Sequence, residues 1–186
     1  MGRFCAYCGA SGRHAGIGED GLCLQCHESI LADVTDHVLV YNECRDTLNS
    51  SEELSVCLPA FSRAIEAVAY LRDTYEEAGI GVIEPSAQAK IDELETGREE
   101  LVAESAARTL ALARQAAGAA TTPEMRALIY SLGLVAISRT WSEIRDPDKL
   151  AVYVDELTDR LRPHIEILSQ SDGLSEGLAG LVRALL

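Results

Sequence analysis

The chain has 186 residues, a formal charge of −14 and a hydrophobic fraction of 47%, with aromatics at only 5%. That apolar content excludes wholesale disorder, and the acidic balance argues against a general nucleic-acid binder, which needs cations to displace counterions from phosphates. No run of eighteen apolar residues occurs, so no membrane span is expected.

The chain opens on Phe4-Cys5-Ala6-Tyr7-Cys8-Gly9 and continues to Leu22-Cys23-Leu24-Gln25-Cys26-His27. Two Cys-x-x-Cys pairs fourteen residues apart supply four thiolates that one tetrahedral ion can gather. Gly9 permits the left-handed backbone that such a turn needs. The loop between the pairs is rich in glycine (Gly9, Gly12, Gly16, Gly18, Gly21) and offers little apolar material, so its order is expected to come from the ion. The ligands expected are Cys5, Cys8, Cys23 and Cys26, and the cofactor is a structural Zn²⁺. The second pair also opens a helix, which sets its thiolates beside N–H groups that favour anions. Four thiolates leave Zn²⁺ with a net charge of −2, which Arg3 and Arg13 are placed to offset.

A Cys-x-x-Cys-Gly knuckle, a short loop and a Cys-x-x-Cys leading into a helix resemble the treble-clef and zinc-ribbon group over about residues 3–45. The N-terminal zinc-binding domain of the ClpX chaperone has a similar outline. The resemblance implies a metal site at the four cysteines without fixing a role, since such fingers serve protein docking, nucleic-acid binding and plain support.

Other chemistries share the pattern. Cys23-Leu24-Gln25-Cys26-His27 spells a c-type haem attachment site, which requires export. Iron in a rubredoxin-like site uses the same four thiolates. Disulfides suit a secreted protein, and a redox Cys-x-x-Cys belongs beside a strand–helix unit. Met1-Gly2-Arg3-Phe4-Cys5 does not open a signal peptide, so a cytoplasmic location is expected. His14 and His27 read as loop and first-turn residues.

Helices are expected at about 23–48, 52–78 and 86–117. In the first, Ile30, Val34, Val38 and Tyr41 mark the inner stripe, widened by Leu31 and Leu39. In the second the inner face is Leu58, Phe61, Ile65, Val68 and Tyr75, with Pro59 marking a kink or the true first turn and Gly79 ending it. Ser86 is read as the cap of the third, whose Gly97 marks a bend; the charge-laced 86–117 stretch reads as a solvated face, or as a projecting coiled-coil arm. Thr122-Pro123-Glu124 opens a fourth helix by capping, proline at the first position and a favourable charge. Its residues are apolar nearly all round (Met125, Leu128, Leu132, Leu134, Ile137), which predicts a helix buried on most sides, with Trp141 in the core.

Asp146-Pro147-Asp148 repeats the capping device ahead of Leu150, Val154, Leu157 and Leu161, and Pro163 is expected to kink or restart that helix. Leu174, Leu178, Leu181 and Leu185 mark a last short helix. No period of 33–47 residues supports a solenoid. The fold class is therefore mainly α: a small four-cysteine zinc finger over 1–30 followed by an acidic multi-helix bundle over 31–186.

Gly-rich phosphate loops, Gly-x-Ser-x-Gly and His-Glu-x-x-His motifs are absent from the sequence. His37 and His164 stand apart from other catalytic types, Cys44 and Cys57 fall at positions suited to small buried hydrophobes, and Glu66, Asp73 and Glu77 form a solvated acidic face. The function expected is that of a non-catalytic accessory or adaptor protein acting on a protein partner, another copy of the chain included. An alternative is a nucleic-acid-associated regulator touching its target through Arg3, Arg13 and Tyr7. A redox or iron-binding protein is a third.

Overall fold

The computed structural model describes residues 4–5, 7–11, 16–18, 21–77 and 84–169. Among these the fold is mainly α, as the periodicity predicts. The helices are α1 (Leu24–Ser50), α2 (Leu54–Glu77), α3 (Glu84–Ala119), α4 (Pro123–Ser138) and α5 (Asp148–Ser169), with a 3-10 turn at Trp141–Glu143. The chain divides into two compact units, Met1–Arg98 and Glu99–Leu186.

In the first unit α1 packs against α2, and the start of α3 joins them. Cys44, Ala60, Ala64, Val68, Ile91 and Leu94 form the core there. Phe61, Ile65 and Tyr75 line the contact only partly buried, because small alanines let the helices approach closely and push the larger side chains to the rim. Gly97 serves the same end. A Cβ there would meet the Phe61 ring at 3.3 Å, so close approach accounts for this glycine in α3. Cys44 and Cys57 are buried, and the Cys57 thiol donates to the Ser51 carbonyl at 3.2 Å.

Several expectations change in this unit. Ile30 and Val34 are buried as expected, but Val38, Leu31 and Leu39 are exposed, because the inner face of α1 continues from Ile30 and Val34 through Cys44. α3 begins at Glu84 and not at Ser86, so Pro85 falls in its first turn, where a missing N–H costs nothing. Pro59 lies inside α2, beyond its first turn. By length and composition alone α2 is apolar enough to cross a membrane. It nonetheless carries Arg63 and Glu66 near its middle and buries one face in the unit. Gly79 lies outside the described residues.

The second unit holds the rest of α3 with α4 and α5. Thr122 caps α4 by accepting from the Met125 amide at 3.3 Å, and Pro123 takes the first position. At the other side of that junction the Arg126 guanidinium donates to the Ala120 carbonyl at 3.0 and 3.1 Å, satisfying an orphan acceptor at the end of α3. Asp146 opens α5 by accepting from the Asp148 amide at 3.2 Å, and α5 runs through Pro163 without restarting. Leu150, Leu157, Leu161 and Leu168 form its buried stripe. Glu99 is buried, accepting from Lys149 Nζ at 2.5 Å and from the Arg145 amide at 3.0 Å, which ties the loop before α5 to α3.

α4 is not buried on most sides. Its inner face carries Ala127, Ser131 and Gly133 beside Tyr130, Leu134 and Ile137, and a Cβ on Gly133 would meet Leu157 at 3.3 Å. Small residues bring α5 close on that one face, which leaves Met125, Leu128 and Leu132 outside; Leu132 is 58% exposed. Trp141 sits in the 3-10 turn and is 37% exposed, at the rim and not in the core. Apolar composition fixed neither side. The Leu174–Leu185 stretch lies outside the described residues.

Candidate metal centre

The first Cys-x-x-Cys pair sits on a tight turn. The Cys5 amide donates to the Ala10 carbonyl at 2.8 Å and the Gly9 amide to the Cys5 carbonyl at 2.9 Å, with Phe4 and Ser11 bridged across the turn. Gly9 has φ +73°, the left-handed geometry for which glycine is suited. The second pair enters α1: Cys23 is its N-cap residue in extended geometry, and Cys26 lies in the first turn. No side chain caps that helix end and no acidic residue occupies its first turn, so the sulfurs are the groups placed to take up its dipole.

The two pairs converge. The ligand sulfurs of Cys5, Cys8, Cys23 and Cys26 all lie within 4.8 Å of one another. Cys8 Sγ and Cys23 Sγ are 3.8 Å apart. A tetrahedral ion with metal–sulfur bonds of about 2.3 Å separates its sulfurs by about 3.8 Å, so the spacing fits such an ion. The Cys23 amide also donates to Cys5 Sγ at 3.3 Å, which locks the knuckle to the helix start. Cys5 and Cys23 are buried, Cys26 is half-buried and Cys8 is exposed.

The electrostatics of the cluster point the same way. Amide donors from Cys8 and then Cys23 pull the Cys5 thiol down to about 6. The neighbouring sulfurs of Cys23 and Cys8 push Cys26 strongly up. Cys26 thus resists ionising beside its neighbours, and a cation among the sulfurs would remove that conflict. The site can hold a metal ion.

Sequence reasoning missed the packing beneath the site. Leu22 is almost fully buried and, with Cys5, Cys23, Ile30 and Val34, forms a small core against which Ile17, Leu71 and Tyr75 pack. The loop thus has more apolar support than its glycines imply. A leucine directly before Cys23 was the available signal. Of the residues read as a nucleic-acid contact, Tyr7 is 52% exposed on the knuckle, while Arg3 and Arg13, like His14, lie outside the described residues.

The histidines of the helices are engaged locally. His37 stacks on Tyr70 with ring centroids 3.7 Å apart, and its Nδ1 lies 2.9 Å from the Asp33 carbonyl. His164 stacks on Tyr130, and burial, then the Arg126 charge, push its pKa down. No protein-family model matches the chain, and neither a curated relative nor a solved structure matches it.

Proposed function

We propose that the chain is a zinc-binding, non-catalytic accessory or adaptor protein of the cytoplasm that acts by binding another protein. The observation that carries the metal half is the convergence of four sulfurs from a glycine turn and a helix start. Zn²⁺ is the ion of choice for four thiolates in a closed tetrahedral site, where it serves structure. Iron takes the same ligand set, and its visible absorption tells the two apart.

The partner half is supported by charge and by the exposed apolar residues around the centre. Phe4, Tyr7 and Leu24 flank its ligands and are exposed, while the acidic balance of the chain disfavours phosphate backbones. The test is affinity purification with mass spectrometry, run beside a Cys23→Ser variant. Partners retained by the native chain and lost by the variant support the reading. Identical partners for both make the finger a support and not an interface. Binding to nucleic acid that falls steeply with salt would favour the regulator instead.

A further inference from the structure

α1 carries a second apolar stripe that its packing against α2 does not use. Leu24, Leu31 and Val38 are 62%, 48% and 40% exposed. They recur every seven residues, and at about 100° per residue they fall within an arc of about 40° along one side of the helix. Leu39 is exposed beside them. The stripe starts at the residue after the ligand Cys23, and Phe4 and Tyr7 extend exposed apolar surface around the same end of the helix.

One flank of this stripe is acidic. Glu28 and Asp46 lie about 40° round the helix from Leu24, and Glu43 and Asp36 lie further round, about 100° and 120° from it. All four are exposed. Residues 21–77 contain eleven carboxylates, three arginines and no lysine. Arg45, Arg63 and Arg72 are paired with Asp46, Glu43 and Asp73 respectively. Glu28 and Asp36 form no ion pair among the described residues, and carboxylates outnumber cations on this side of the helix.

We propose that this face of α1 docks a basic amphipathic helix from another protein, its apolar residues along Leu24, Leu31 and Val38 and its lysines or arginines along the flank that carries Glu28 and Asp46. The proposal rests on the adaptor reading and names its surface. An amphipathic helix recognised by anchors one and two turns apart matches the spacing of the stripe. The charges choose the occupant. An antiparallel pairing of two copies would set the acidic flank against its own image, and any pairing brings together two chains of charge −14, which opposes a second copy of this chain. The same charges repel an anionic membrane.

The probe is a synthetic amphipathic peptide of about five helical turns, built from leucine and lysine, with a leucine–glutamate counterpart as control. Both are titrated into the full zinc-loaded chain, followed by fluorescence anisotropy and by amide shifts of the labelled protein. The leucine–lysine peptide is expected to bind saturably and move the amides of Leu24, Glu28, Leu31 and Val38. Leu31→Asp and Glu28→Lys, both at exposed sites, should each weaken binding by roughly tenfold with unchanged helix content. Leu132→Asp, on the exposed face of α4, should leave it intact. Equal binding of the two peptides, shifts confined to other helices, or self-association abolished by Leu31→Asp overturns the proposal. If the peptide fails while zinc-dependent partners are still captured, the docking face is wrong and the adaptor reading stands.

Discussion

The backbone N–H of Cys23 points at Cys5 Sγ over 3.3 Å, across eighteen residues of chain. Through that contact the first turn of α1 and the glycine knuckle become one object. An ion held by the same sulfurs would therefore order the helix start as well as the knuckle. Removing metal with a strong chelator should raise hydrogen exchange at Cys23 and through the first two turns of α1. Exchange in α4 and α5, which belong to the other unit, should not change. Exchange that is unchanged at Cys23 would mean that apolar packing alone holds the knuckle.

Two leucines separate burial from mere apolarity. Leu157 is fully buried, and Leu157→Ala should cost about 2–5 kcal/mol. Leu132→Ala, on the outer face of α4, should cost less than about 0.5 kcal/mol. Urea midpoints for the two variants check this directly. A large loss at Leu132 would mean that another surface covers α4 in solution.

That pair also shows where the sequence was legible. The starts of α4 and α5 were, because capping is local chemistry: Thr122 with Pro123, and Asp146 before α5, act as their side chains dictate, whereas Ser86 does not open α3. The convergence of the four cysteines was legible because two Cys-x-x-Cys pairs joined by a short glycine-rich loop can fold back onto one another. Burial was less so. In α1 and α4 apolar residues occur on two faces, and the face that packs is the one with alanine, glycine, serine or cysteine to admit a neighbour closely. Spacing alone does not choose between Ile30 and Leu31, or between Leu134 and Leu132.

Glu99 gives the second unit an acid-sensitive link. The Lys149 ammonium above all, with help from the Arg145 amide and against the cost of burial, holds its carboxyl below the usual 4.5. A depressed carboxyl stabilises the fold above its unfolded value and loses that contribution as pH falls through the folded one. At neutral pH Glu99→Gln should unfold at lower urea than the native chain. The gap should close as the pH drops below about 4.5, and a gap independent of pH would remove the ion pair from the account.

Glycines in the second unit predict opposite signs. Gly133→Val would drive a branched side chain into Leu157 and should destabilise by about 1–3 kcal/mol. Gly118 faces open space near the end of α3, so Gly118→Ala should stabilise by about 0.5 kcal/mol through helix propensity. Thermal melts of both variants read the two signs in one experiment.

The most direct measurement is the metal content of protein purified without chelator, taken with its visible spectrum. One zinc per chain, a colourless solution, and loss of the metal in Cys23→Ser are the expected results. Protein that carries no metal, and whose melting temperature does not move when zinc is added, would contradict a metal-built finger.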